Sequence, residues 1–174
     1  MIIGGVGGAN TKTGLHYEKR VDFATLIARR KGYSVENENI LYKGKVVAQH
    51  YKKTKLYKYL LSKGIYYLDY VSYALQPDNA VFVFSKGTFY IIEVKFQKVG
   101  GSVDEKLQTC DFKIKQYRKL LQALKVRVEY IYVLNDWFTS VRYRDVLNYI
   151  TSIEGCSFVF NELPLKKIGL PIEA

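Results

Sequence analysis

An aspartate, fourteen further residues and a Glu-x-Lys triplet stand in the middle of the 174-residue chain, as Asp78 and Glu93-Val94-Lys95. Two carboxylates supply hard oxygen ligands that suit Mg²⁺, an ion that takes one or two carboxylates, several waters and substrate phosphate oxygens. A lysine beside them can position the attacking water or offset the charge that builds on the phosphorus. The chemistry this set suits is phosphodiester hydrolysis, and it requires neither cysteine nor histidine. A salt bridge at a sheet end uses the same residue types. Against that reading, Glu93 interrupts Phe89-Tyr90-Ile91-Ile92 and Val94, a run apolar on both faces, where an ionised carboxylate needs a partner or a metal.

Lys86-Gly87 reads as the centre of a hairpin turn, since glycine accepts positive φ. A two-residue turn there sets Ser85 opposite Thr88, Phe84 opposite Phe89, Phe82 opposite Ile91 and Asp78 opposite Lys95. Opposed residues of an antiparallel pair share a face and strand side chains alternate, so Asp78, Glu93 and Lys95 point the same way. Phe82, Phe84, Phe89 and Ile91 continue that face towards the turn.

Around the hairpin the periodicities define the supporting elements. Thr11 or Thr13 caps a helix running to about Lys31, with Tyr17, Val21, Ala24 and Ala28 as its buried stripe. Glu18 lies beside that stripe, either as a solvated residue favoured by the helix dipole or as an acid of the site. Lys45 to Gln49 is a strand, Lys53 to Ser62 a short basic helix with Leu56, Tyr59 and Leu60 inward, and Ile65 to Leu75 one or two strands. Lys52, Lys53 and Lys55 interleave with Tyr51, Tyr57 and Tyr59, a pattern suited to DNA phosphates and bases and equally to a solvated helix.

Ser102 and Glu105 form a capping box, and Val103, Leu107, Cys110, Ile114, Tyr117, Leu121 and Leu124 sustain an apolar stripe behind it. Lys106, Lys113, Lys115 and Lys119 fall off the stripe. Free amides at such a helix start bind phosphate, which makes Ser102 and Lys106 candidate DNA contacts. Arg127 to Leu134 is a strand apolar on both faces, Val141 to Ile153 a helix, and Cys156 to Phe160 a last strand. The order predicts a three-layer α/β domain with a mixed central sheet and the acids at one sheet edge.

With 27 Lys plus Arg against 16 Asp plus Glu, the chain carries a formal charge of +11 and sixteen tyrosines, a composition suited to a polyanionic partner. No linker or repeat divides residues 1–174, and 48% hydrophobic content supports one core. Cys110 and Cys156 lack metal-ligand spacing and fall in apolar-periodic segments, as buried thiols of a cytosolic protein. Met-Ile-Ile-Gly-Gly is not a signal peptide, and no stretch is apolar enough to span a bilayer, so a soluble cytoplasmic protein without a membrane partner is expected.

Asp78, Glu93-Val94-Lys95, the preceding helix with Glu18 and the following helix and strand together resemble the PD-(D/E)XK nuclease superfamily, whose core is αβββαβ. The resemblance runs from Pro77 to about Leu134 and from Gly14 to Gly32, roughly half the chain. Gly7-Gly8-Ala9-Asn10-Thr11-Lys12-Thr13-Gly14-Leu15 with Glu18, and Glu93-Val94-Lys95-Phe96-Gln97 followed by Gly101-Ser102-Val103-Asp104-Glu105-Lys106-Leu107, are similar to small type II restriction endonucleases. The resemblance implies a restriction-endonuclease-like core and Mg²⁺-dependent (or Mn²⁺-dependent) cleavage of double-stranded DNA that leaves 5′-phosphate ends. It implies Asp78 and Glu93 as metal ligands, Lys95 as the residue that orients water, and Glu18 as an additional acid. Gln97 and Gln108 are candidate accessory positions, a structural role being the commoner use of each. About sixty residues separate Glu18 from Asp78, more than a minimal core needs, and the surplus at 33–76 is the place for DNA recognition or a dimer contact.

Three functions compete on these residues. A restriction-type endonuclease acts on linear duplex at discrete sites, in the economical case as a homodimer. A structure-selective nuclease such as a Holliday-junction resolvase uses the same acids and lysine. A non-catalytic DNA-binding module would need no intact acids.

Overall fold

Among the residues that the computed structural model describes, 22–98 and 103–173 apart from the side chains of 103 and 104, Asp22 opens the first helix. Its carboxylate accepts the Thr25 N–H at 3.3 Å and the Thr25 hydroxyl at 3.1 Å, an N-cap arrangement, and α1 runs Phe23–Ala28. The helix expected from Thr11 or Thr13 to about Lys31 does not run through Asp22, whose ψ of 127° is extended, and its described part ends at Ala28. Glu18 and the expected caps lie outside the described residues.

Seven strands follow: β1 (Tyr33–Glu36), β2 (Asn39–Tyr42), β3 (Lys45–Tyr51), β4 (Asn79–Val83), β5 (Thr88–Lys95), β6 (Arg127–Leu134) and β7 (Cys156–Phe160). Between them stand α2 (Thr54–Ser62), α3 (Val103–Lys106), α4 (Cys110–Leu121) and α5 (Arg144–Ser152). The strands make one sheet in which spatial order repeats chain order. β1 to β5 pair antiparallel, whereas β5, β6 and β7 pair parallel, so the sheet is mixed and changes sense at β5. The α/β class and the mixed sheet agree with the sequence. The acids do not lie on an edge strand: Glu93 is near the end of β5 and Asp78 just before the start of β4, and both strands are interior.

Each face of the sheet has its own core. On one face Phe89, Ile91, Tyr130 and Tyr132 pack with Leu56 and Leu60 of α2, with Cys110, Ile114, Tyr117 and Leu121 of α4, and with Ile150 of α5. On the other, Val81, Tyr90, Ile92 and Ile131 pack with Phe23 and Ile27 of α1 and with Leu163, Ile168 and Leu170 of the C-terminal segment. Burial on both faces accounts for the nearly continuous apolar runs of β5 and β6. Cys110 and Cys156 are buried free thiols, as their apolar setting required.

Three local expectations differ from the structure. The hairpin turn has four residues, with Phe84–Lys86 in a 3₁₀ turn and Gly87 left-handed, so Val83 pairs with Thr88 and Phe82 with Phe89. Phe84 sits in that turn, 44% exposed, instead of lining the apolar face. Ile65 to Leu75 is not a strand: it holds the 3₁₀ turn Tyr67–Asp69, and the Leu75 carbonyl accepts the hydroxyls of Tyr57 and Tyr117 where a ladder would have used it. The helix expected from Ser102 to Leu124 is divided by a 3₁₀ turn at Leu107–Thr109, while Leu107, Cys110, Ile114, Tyr117 and Leu121 are buried as its stripe required.

Candidate active site at the end of β5

A register slip of two residues preserves the faces of both strands, so the longer turn leaves the polar trio together. With Asn79 paired to Ile92, the preceding residue, Asp78, comes level with Glu93 instead of Lys95. Asp78 Oδ2 accepts the Val94 N–H at 2.8 Å, which ties the start of β4 to the end of β5. Lys95 Nζ donates to Glu93 Oε2 at 2.7 Å. Glu93 is 6% exposed, and its parity with Phe89 and Ile91 turns it to the face that α4 covers.

From that helix comes a residue the sequence reading set aside. Lys113 Nζ lies 3.6 Å from the same Glu93 Oε2, so two lysines hold one carboxylate oxygen and Oε1 takes part in neither contact. A signal was present: Lys113 stands three residues after Cys110 and four before Tyr117, at the spacing of the buried stripe itself. Tyr117, expected as part of that stripe, also faces the acids. Burial pushes its phenol far above the ordinary range, and the negative carboxylates of Glu93 and Asp78 add to the effect. Tyr130 is raised in the same way by burial and by Glu93. These phenols stay neutral and surround the acids with low-dielectric wall.

Asn135, just past β6, completes the strand end. Its Oδ1 accepts the Gln97 N–H at 3.0 Å and its Nδ2 donates to the Gln97 carbonyl at 2.9 Å, clasping the ends of β5 and β6. The Gln97 side chain is 5% exposed, and its amide nitrogen and oxygen have no hydrogen-bond partner among the described residues.

The other expected contacts are distributed around this end. Lys53 donates its N–H to the Pro77 carbonyl at 2.9 Å, seating the start of α2 beside Asp78. Lys52 pairs with Asp22 at 2.5 Å and Lys55 with Glu38 at 2.9 Å. Burial pushes the Asp22 carboxyl up, but the hydrogen bond and charge of Lys52 outweigh it and hold the group below its usual value. Lys106 is exposed on α3, and its carbonyl accepts the Tyr132 hydroxyl at 3.1 Å. Ser102, like Glu18, lies outside the described residues. Gln108 lies in a separate hollow with Asp145, Val146 and Tyr149.

Among the described residues no three His, Cys, Asp or Glu side chains are grouped to share a metal ion. The donor set of Asp78 and Glu93 still fits a hard divalent cation that keeps most of its water, and the unsatisfied Gln97 amide adds polar capacity at the same strand end. No helix of the described residues is long and apolar enough to cross a membrane. No family model, curated protein or solved structure matches the chain.

Proposed function

We propose that the protein is a Mg²⁺-dependent DNA endonuclease of restriction type, acting in the cytoplasm in the manner of the PD-(D/E)XK enzymes and leaving 5′-phosphate ends. The observation that carries the reading is that Asp78, at the start of β4, is bonded to the Val94 N–H between Glu93 and Lys95 at the end of β5, with Glu93 buried and bonded to Lys95. Asp78 and Glu93 hold the ion, which when bound supplies positive charge at the scissile phosphate and a more acidic water. Lys95 orients the attacking water and offsets charge in the transition state. Glu18 is assigned as a further acid by resemblance. A formal charge of +11 draws the chain to duplex DNA, with the basic start of α2 beside Asp78 as part of the contact surface, and a homodimer lets two such sites cut both strands.

The test is incubation with plasmid DNA, with and without Mg²⁺ or Mn²⁺, followed by sequencing of the ends. Discrete cuts bearing 5′-phosphates support the reading. Cutting confined to branched DNA moves the assignment to a structure-selective nuclease, and binding without cutting under every condition removes the enzyme.

A further inference from the structure

Two lysines from different elements reach the same oxygen of Glu93: Lys95 at 2.7 Å and Lys113 at 3.6 Å from Oε2, with side chains only 16% and 22% exposed. The lysine stem is flexible and its ammonium is a compact charge with three donors, so Lys113 can change partner while α4 stays in place. A divalent ion at Glu93 would stand within a few ångströms of two ammonium groups, and like charges so gathered repel. Lys113, at the longer distance and from a different element, is the one that can withdraw. A DNA phosphate arriving at the same strand end offers it a new charge-assisted partner.

We propose that Lys113 is a positioning residue that holds Glu93 while DNA is absent, competes with the divalent ion for that carboxylate, and passes its charge to the DNA phosphate once Glu93 takes the ion. The second half rests on the nuclease reading; the first half does not. The sheet contributes Lys95 as the fixed cation, and α4 contributes Lys113 as the exchangeable one.

Lys113→Met keeps the length of the stem and removes the charge, and Lys113→Arg keeps the charge. Mn²⁺ is titrated calorimetrically into each protein without DNA, and single-turnover cleavage of plasmid DNA is followed at saturating Mg²⁺. The expected result is Mn²⁺ binding several-fold tighter in Lys113→Met, cleavage at least tenfold slower in the same variant, and recovery of most of both effects in Lys113→Arg. Should Lys113→Met fail to fold, Lys113→Gln serves in its place with the same expectations. Mn²⁺ affinity equal to or weaker than wild type in the uncharged variant overturns the competition, even if the protein proves to be a nuclease. Tighter Mn²⁺ binding in a protein whose wild type cuts no DNA upholds the competition and removes the nuclease reading instead.

Discussion

Asp78 Oδ2 accepts the backbone N–H of Val94 at 2.8 Å, so the acid that enters β4 is fixed against the strand that carries Glu93 and Lys95. The bond uses one carboxylate oxygen for structure, and it separates what the charge of Asp78 does from what its shape does.

Asp78→Asn retains an oxygen for the Val94 N–H and loses the charge. Its unfolding free energy should stay within about 0.5 kcal/mol of wild type, whereas Asp78→Ala should lose about 1 kcal/mol with the bond. Both should lose plasmid cleavage. Wild-type cleavage by Asp78→Asn would remove the residue from the proposed chemistry while leaving its structural bond.

Glu93→Gln removes the charge that Lys95 and Lys113 hold. Cleavage should fall on the order of 100-fold or more, about 2.7 kcal/mol of barrier. DNA binding measured without divalent ions should be as tight as wild type or tighter, because a carboxylate that repels phosphate is gone and two cations remain. Weakened binding together with retained cleavage contradicts the role given to Glu93.

His50 is 6% exposed, and its Nε2 donates to Asn79 Oδ1 at 2.8 Å. Burial holds the imidazole below its ordinary value of 6.5, although the Asn79 bond works in the opposite direction. Above that value His50 is neutral in both folded and unfolded chains, and its contribution to stability is complete. As pH falls through 6.5 the unfolded chain takes up a proton that the folded chain resists, so stability drops until the folded group titrates. The urea midpoint should therefore fall between pH 7.5 and pH 5.5, and fall less in His50→Gln. Equal pH dependence in the two proteins would show that His50 contributes none of it.

Gly87 closes the hairpin at φ 56° and ψ 36°, and a Cβ placed there meets no atom within 4 Å. Conformation is thus the only obstacle to a side chain. Gly87→Asn should change unfolding free energy by about 0.5 kcal/mol or less, since asparagine tolerates the left-handed region, and Gly87→Val should lose about 1–2 kcal/mol. A valine as stable as glycine would mean that the turn relaxes into another form.

The face shared by the three site residues was legible because it depends only on parity. The four-residue turn moved Asp78 from Lys95 to the level of Glu93, and an even slip keeps each side chain on its side. Turn length itself was not legible, since Lys86-Gly87 suits the last two positions of a longer turn as well as the centre of a short one. β1 and β2 were missed because they are four residues each and carry Ser34, Glu36 and Asn39 among their apolar positions. Ile65 to Leu75 misled for the opposite reason: its tyrosines are apolar enough for a strand, yet they pack from a loop whose backbone serves tyrosine hydroxyls. Lys113 was discounted as a charged residue, although its spacing placed it on the face that meets the sheet.

Because strand order repeats chain order, every strand pairs with the one made just before it, and the two longest connections, 52–78 and 96–126, carry helices of their own. The span from Asp78 to Lys113 is short, so the charged cluster assembles from a single hairpin and the helix that follows it. Folding can build this part of the protein from near neighbours alone, and the outer strands then widen a platform whose reactive end is already in place.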